Sequence, residues 1–215
     1  MTLAAVERRM EAACRRSGRD RSDVTLVAVT KGRPVEAIRM LYDQGQRDFG
    51  ENRAQELRDK VNELPGDIRW HFIGPLQTNK VRIVRPAATV LHSMDRESLA
   101  VAWMKGPGSP PPVYLQVNIG EEDQKSGAAP DDAPAFCDRL VSLGITVLGL
   151  MAIPPLADDP EDVRHHFTAM HLLRDRIAAD HPPVTGLSMG MSDDFEVAIE
   201  EGATSIRVGR AIFAD

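Results

Sequence analysis

Residues 24–31 have the sequence VTLVAVTK, an apolar run rich in β-branched side chains that ends on a lysine. A continuous run of this length predicts a strand buried on both faces, which is typical of a parallel sheet covered by helices. Gly32, Arg33 and Pro34 follow directly, so the chain must turn where the strand ends. The run therefore predicts the first strand of a parallel α/β fold, with Lys31 at its carboxyl end.

Lys31 is the first candidate for chemistry. An amine held at the end of an apolar strand loses its proton more readily when it is buried, because burial disfavours the ammonium ion. A neutral lysine amine can form a Schiff base with an aldehyde. The alternative is a solvated lysine that simply ends a strand, as exposed lysines commonly do. The first strand alone leaves both interpretations open.

The rest of the chain alternates short apolar runs with amphipathic segments. The predicted strands lie at residues 24–30, 48–49, 69–73, 89–92, 113–119, 146–153, 184–188 and 205–208. The predicted helices lie at residues 3–16, 35–44, 53–64, 78–84, 96–105, 133–143, 158–179 and 194–200. Alternation of this kind requires parallel strands joined by crossover helices.

Eight strands that alternate with helices predict a single (β/α)8 barrel of the TIM type with an extra N-terminal helix at 3–16. The chain is short for this fold, which usually takes about 200 to 400 residues, so the loops must be lean. A doubly wound open sheet is the alternative. The lack of a glycine-rich dinucleotide-binding motif after the first strand counts against it.

The composition fits one soluble globular domain over residues 1–215. The net charge of −6 argues against a general binder of nucleic acids or of anionic membranes. No apolar run is long enough to span a membrane, and the amino terminus lacks the apolar segment of a signal peptide. Cys14 and Cys137 show no CxxC spacing, so we expect no disulfide, no metal site and a reducing cytoplasmic location.

The carboxyl ends of barrel strands form the ligand-binding face of this fold. The polar residues expected near that face are Lys31, Glu51, Asn52, His71, Asn118, Ser188 and Arg207. Barrels commonly bind phosphate in the loops after strands seven and eight, where glycines let backbone N–H groups approach an anion. These loops contain Ser188-Met189-Gly190 and Gly209-Arg210, which predicts an anion site, although each glycine alone would also fit a tight turn.

Arg207 and Gly209 lie two residues apart and so share one face of the last strand. A guanidinium inside a barrel needs an acceptor, which is either an inward carboxylate or the nitrogen of a bound heteroaromatic ring. His71 on its apolar strand is interpreted as a core residue with one satisfied nitrogen. Residues 120–131 form the longest polar segment, and we expect a mobile loop there.

Six motifs in order give the chain a close resemblance to a known family. They are AVTKGRP at 28–34, FGENRAQE at 49–56, WHFIGPLQTNK at 70–80, GLMAI at 149–153, LSMGMSDDFEVAI at 187–199 and IRVGRAIF at 206–213. Over nearly its whole length the chain resembles the YggS/PROSC family of pyridoxal phosphate homeostasis proteins. These proteins share the barrel of the alanine racemase N-terminal domain.

The resemblance implies that Lys31 carries pyridoxal 5′-phosphate (PLP) as an internal aldimine. It further implies that Asn52 lies beside the cofactor and that Arg207 faces the pyridine nitrogen. The residues implied for the phosphate loops are Ser188, Met189, Gly190, Gly209 and Arg210. Many family members have Thr or Ser where this chain has Arg210, so here an arginine replaces a hydroxyl contact. Many also have glycine after the Phe, where this chain ends in Ala214 and Asp215.

The resemblance implies a PLP carrier without substantial catalysis, with apo-forms of PLP-dependent enzymes as possible recipients. A PLP-dependent racemase is the alternative, but related racemases take a second base from another domain, and the printed chain ends just after the eighth strand. We therefore expect no second base and a monomer. An arginine at the ring nitrogen leaves that nitrogen unprotonated and the ring a weak electron sink. A Schiff-base aldolase shares only the fold.

Overall fold

The chain forms a closed barrel of eight parallel strands in a computed structural model, which describes residues 2–122 and 126–213. Each strand pairs with the next along the chain, and the last returns to pair with the first, placing Thr25 opposite Ser205. The strands are β1 Thr25–Val29, β2 Asp48–Glu51, β3 Arg69–Phe72, β4 Val90–Met94, β5 Val113–Gln116, β6 Val147–Met151, β7 Gly186–Ser188 and β8 Ser205–Val208. The predicted barrel is confirmed, and the open sheet is wrong because each of the eight strands pairs with two neighbours, so the sheet has no edge strand.

Helices follow the strands on the outside of the barrel. They are α1 Leu3–Arg16, α2 Val35–Asp43, α3 Ala54–Glu63, α4 Val81–Val84, α5 Glu97–Lys105, α6 Ala133–Ser142, α7 Arg164–Asp180, α8 Phe195–Glu200 and α9 Arg210–Phe213. Short 3-10 turns at Thr78–Lys80 and Pro160–Val163 lead into α4 and α7. Within the described residues, no helix has the combination of length and apolar character that crossing a bilayer requires.

The extra helix α1 packs against α8, as its apolar stripe requires. Val6 and Met10 on that stripe are fully buried. Beyond the helix, the Arg19 guanidinium donates to the carbonyls of Ile199 and Ala203, both at 2.8 Å. Ile199 lies in the last turn of α8, where backbone carbonyls lack partners further along the helix, and Ala203 follows three residues after the helix ends. The N-terminal segment therefore stabilises the unit that follows β7.

The apolar core lies between the strands and the surrounding helices, where Phe49, Phe72 and Trp103 are almost completely buried. The lumen of the barrel is partly polar instead. His92 of β4 contacts Ser188 of β7 at 2.7 Å, and these strands are not neighbours in the sheet. The contact therefore crosses the lumen.

Several strands are shorter than the sequence predicts because the chain leaves the barrel early. The predicted strand 113–119 ends at Gln116, after which Val117 pairs with Ala128 in an isolated bridge. In the expected mobile loop at 120–131, residues 123–125 lie outside the described part of the chain, as do residues 214 and 215. Both cysteines are free and buried, and the described residues contain no group of three potential metal ligands.

Candidate functional site

A pocket of about 300 Å³ opens at the carboxyl ends of the strands. This volume lies at the lower end of the range typical for sites that bind small molecules. Lys31 and Asn52 lie on one part of its wall, and Arg207, Gly209 and Arg210 on another. The end of β1 thus shares a pocket with the loop after β8, as the pairing of these strands requires.

Lys31 lies in a tight turn between β1 and α2. The Arg33 N–H donates to the Thr30 carbonyl at 2.9 Å, and the next turn residue, Gly32, has a left-handed φ of 68°. The Gly32 N–H donates to Glu56 Oε2 at 2.9 Å and lowers the pKa of that carboxyl below its ordinary value. Lys31 itself is exposed, so the burial that the sequence suggested for its amine is absent.

A second lysine, Lys60 of α3, stabilises the same turn through hydrogen bonds. Its Nζ donates to the Thr30 carbonyl at 2.8 Å and lies 2.5 Å from Glu51 Oε1 and 3.4 Å from Glu56 Oε2. The Thr30 hydroxyl also donates to Glu51 Oε1, at 2.6 Å. Glu51 is completely buried, so it faces this cluster and not the ligand-binding face where the sequence placed it.

Asn52 presents an unused polar atom at the pocket. Its Oδ1 is buried and has no hydrogen-bond partner among the described residues. The chain after β3 holds the Asn52 backbone closely, because a Cβ on Gly74 would lie 2.4 Å from the Asn52 carbonyl oxygen. A buried amide oxygen without a donor is costly, so this position is suited to a ligand that supplies a hydrogen-bond donor.

The loops after β7 and β8 meet at the pocket through polar contacts. Arg210 forms an ion pair with Asp193, and both side chains are well exposed. Ser192, which also lines the pocket, accepts a hydrogen bond from the Ala211 N–H at 3.3 Å. The two loops that the sequence predicts to form an anion site are therefore joined to each other.

Gly190 shapes the first of these loops and does not line the pocket. It has a left-handed φ of 93°, and a Cβ there would lie 2.6 Å from the Cβ of Ala198 in α8. Asp194, at the start of α8, accepts a hydrogen bond from the Met191 N–H at 2.6 Å. Burial raises the pKa of the Asp194 carboxyl above its ordinary value.

Arg207 is almost completely buried in the lumen and reaches the pocket. It donates to Ser188 Oγ at 2.7 Å and to the Ala152 carbonyl at 3.0 Å, and neither acceptor is the carboxylate considered as an alternative. Burial lowers the pKa of its guanidinium to about 10, so it stays cationic at neutral pH. Ser188 and Met189 are fully buried and lie outside the pocket lining.

Comparison with known proteins identifies the family. A family model described as the alanine racemase N-terminal domain matches residues 1–215. The pyridoxal phosphate homeostasis protein of Aquifex aeolicus is 41% identical over 219 residues, which cover 99% of this chain and 96% of the relative. The chain belongs to the pyridoxal phosphate homeostasis protein family. The protein of this name from Escherichia coli K12 is 40% identical over 98% of this chain and 94% of its own length.

A solved structure of another family member also matches this fold. The structure of PipY from Synechococcus elongatus with PLP bound has a TM-score of 0.80 and 36% sequence identity to this chain. The match covers 97% of this chain and 100% of that one. The resemblance stated from the six motifs is thus confirmed.

In this member of the family, the structure brings together five of the eight residues singled out from the sequence. They are Lys31, Asn52, Arg207, Gly209 and Arg210. The other three, Ser188, Met189 and Gly190, form the buried support behind the pocket. Asn118 lines a smaller neighbouring cavity of about 220 Å³.

Sequence reasoning missed Ser192 and the apolar rim of the pocket. Ser192 follows Gly190 by two residues and lies three residues before α8, so its position in the motif LSMGMS was the available signal. The rim contains Pro154, Pro155 and Leu156, and Leu156 is 90% exposed. The paired prolines marked a loop in the sequence but gave no sign that it would border the pocket.

Proposed function

We propose that this chain binds PLP in the pocket at the carboxyl ends of the strands and takes part in PLP homeostasis by holding the cofactor. The observation that carries the proposal is that Lys31, Arg207 and the loop Gly209–Arg210 line a single pocket. Membership of the pyridoxal phosphate homeostasis family supports it. Residues 1–215 would then act as one PLP-binding domain.

The residues of the pocket fit PLP by chemistry. When bound, PLP supplies an aldehyde that condenses with a primary amine, and Lys31 presents such an amine at the pocket mouth. Asn52 Oδ1 accepts a hydrogen bond from a ligand donor, since it has no partner among the described residues. Arg207 offers N–H donors to a ring nitrogen, and Arg210 supplies a positive charge for a phosphate.

The residues around the pocket favour a protein that binds PLP over one that uses PLP for catalysis. A general base must reach the reacting carbon with a free acceptor. Both carboxylates that line the pocket already hold a donor on one oxygen, because Asp193 Oδ2 pairs with Arg210 and Asp194 Oδ1 accepts the Met191 N–H. The cationic Arg207 favours an unprotonated ring nitrogen, which weakens electron withdrawal by the ring.

The binding proposal is tested by absorbance and mass spectrometry. Purified protein loaded with PLP should show a visible absorbance band that is lost in Lys31→Ala and kept in the control Lys105→Ala, which changes an exposed lysine at the end of α5. Borohydride reduction should leave a mass adduct on the peptide that contains Lys31. An unchanged spectrum in Lys31→Ala, or an adduct elsewhere, would refute this assignment.

Racemase activity is the second candidate, because the matching family model is that of the alanine racemase N-terminal domain. Incubation of the PLP-loaded protein with L-alanine and other L-amino acids, followed by chiral chromatography, separates the two functions. We expect no D-enantiomer above the level produced by free PLP. Turnover at ordinary enzymatic rates of about 1 per second or more would favour the racemase.

The proposal extends to delivery and to assembly. We propose that the loaded monomer donates PLP to apo-forms of PLP-dependent enzymes. Reactivation of such an apo-enzyme by the loaded protein should continue when a phosphatase destroys free PLP in solution. Complete suppression by the phosphatase would show release into bulk solvent instead. Sedimentation of the loaded protein tests the monomeric state.

A further inference from the structure

A row of hydrogen bonds crosses the lumen beneath the pocket, starting at Arg207. The Arg207 guanidinium donates to Ser188 Oγ at 2.7 Å. Ser188 Oγ lies 2.7 Å from His92 Nδ1. His92 is completely buried, and Ser188 is as well. The contact with Arg207 is thus tied to the far side of the barrel by an imidazole.

The row continues to the other end of the barrel. His92 Nε2 lies 2.8 Å from His71 Nδ1, and His71 Nε2 lies 3.0 Å from Asp48 Oδ1. Asp48 also accepts a hydrogen bond from Arg69 at 2.7 Å. Burial alone would raise the pKa of Asp48, but the hydrogen bonds from His71 and Arg69 outweigh it and bring the pKa to about 2. The row therefore begins at a cation and ends at an ionised carboxylate.

When both imidazoles are neutral, the two ends fix the direction of every hydrogen bond between them. Arginine only donates and an ionised carboxylate only accepts. When Ser188 accepts from Arg207 and donates its own proton, His92 Nδ1 is an acceptor and the His92 proton lies on Nε2. That proton is donated to His71 Nδ1, so the His71 proton also lies on Nε2 and points at Asp48. With both imidazoles neutral, this assignment satisfies all four contacts.

The opposite assignment requires an extra charge. If His92 carried its proton on Nδ1, its Nε2 would need a proton from His71 Nδ1. A neutral His71 would then turn an unprotonated Nε2 toward the Asp48 carboxylate, placing two acceptors 3.0 Å apart. Only a charged His71 would avoid this. Burial lowers the pKa of His92 well below its ordinary value, with smaller contributions from His71 and Arg207, so His92 is neutral in both assignments. The two assignments therefore differ in the position of the His92 proton and in the charge of His71.

We propose that Asp48, His71, His92 and Ser188 form a one-directional hydrogen-bond row, with both imidazoles neutral and protonated on Nε2, that positions the Arg207 guanidinium in the pocket. His92 and His71 are positioning residues, since they act on the pocket through Ser188 and Arg207. The effect on PLP rests on the proposed function, whereas the protonation of the row does not. The first part of the experiment therefore needs no PLP.

The first part is nitrogen-15 NMR of the imidazoles at pH 7 in the full chain without PLP. The chain has six histidines, and the His71→Asn and His92→Asn variants assign the two signals of interest. We expect both rings neutral, with Nε2 protonated and Nδ1 unprotonated. A proton on His92 Nδ1, or a charged His71 at pH 7, overturns the proposal.

The second part measures PLP binding to His92→Asn, with His165→Asn as the matched control because His165 is exposed on α7. His92→Asn removes the acceptor of the Ser188 hydroxyl, and a neutral hydrogen bond of this kind contributes about 1 kcal/mol, which corresponds to about fivefold weaker binding. We expect this loss, and a shift in the visible absorbance maximum of bound PLP, in His92→Asn only. A His92→Asn protein that folds and matches the control in both measurements overturns the proposal.

A second variant keeps the test valid if His92→Asn does not fold. Ser188→Ala breaks the same row at the neighbouring link and should weaken PLP binding by a similar factor. Where both fold, the double variant should bind PLP no more weakly than either single one, because both remove the same connection. Additive losses would mean that Ser188 acts on PLP directly, and this would overturn the proposal. If the wild-type chain binds no PLP, the proposed function fails while the NMR result stands.

Discussion

Replacing Lys60 by methionine would leave the carboxylate of Glu51 buried without its cation. Glu51 is completely buried, its Oε1 lies 2.5 Å from Lys60 Nζ, and its Oε2 has no partner among the described residues. Only the Thr30 hydroxyl would still donate to this carboxylate among the contacts described above. Removing one partner of a buried ion pair costs about 3 to 5 kcal/mol, because an uncompensated charge remains in the interior.

The assay is guanidinium-induced unfolding at pH 7, followed by far-UV circular dichroism. The free energy of unfolding of Lys60→Met should fall by about 3 to 5 kcal/mol, a large part of the about 5 to 15 kcal/mol typical of a domain. The control Lys105→Met, at an exposed lysine, should stay within about 0.5 kcal/mol of wild type. Adding Glu51→Met to Lys60→Met should recover stability, since no charge is then stranded. A Lys60→Met protein within about 1 kcal/mol of wild type would refute this reasoning.

Three further predictions concern pH, packing and thiols. Asp48 has a folded pKa of about 2 against an ordinary 3.8, so it stabilises the fold above pH 4 and loses that effect as pH falls toward 2. The free-energy gap between wild type and Asp48→Asn should therefore shrink by about 2 kcal/mol between pH 6 and pH 2, measured by urea unfolding. Gly149→Ala would place a Cβ 1.9 Å from a carbonyl oxygen of the neighbouring strand and should cost at least about 2 kcal/mol, whereas the unobstructed Gly66→Ala should be near neutral in thermal unfolding. Burial raises the pKa of Cys14 and brings that of Cys137 to about 11, so both thiols should react with Ellman's reagent only after unfolding; rapid native reaction would contradict this.

The sequence predicted the barrel because each strand and helix carried its own local signal. The run at 24–31 was long enough to indicate burial on both faces, and β1 is buried from Leu26 to Val29. Alternation then determined the parallel topology without any knowledge of contacts. Strand ends were less well predicted. For example, β5 ends at Gln116, and the next residue, Val117, pairs with Ala128, which lies eleven residues further along the chain.

The sequence predicted the site only where a residue's position along its strand is enough to show which way its side chain points. Lys31, Arg207 and Gly209 were placed at the ligand-binding face, and they line the pocket. Ser188 is the last residue of β7, yet its side chain points into the lumen toward His92 and not into the pocket. His71 was expected to satisfy one nitrogen, and both have partners, from β4 and β2. Such cross-barrel contacts join residues far apart in sequence, so no local pattern encodes them.

The exposure of Lys31 has a practical consequence for handling the protein. If Lys31 holds PLP as proposed, any dissolved primary amine can reach this exposed position and compete with the lysine for the aldehyde. Buffers containing Tris or free amino acids should therefore strip PLP in proportion to their concentration, and dialysis in phosphate or HEPES should preserve it. Under the proposed delivery of PLP, the same exposure of Lys31 would let a lysine of the recipient enzyme approach the bound cofactor.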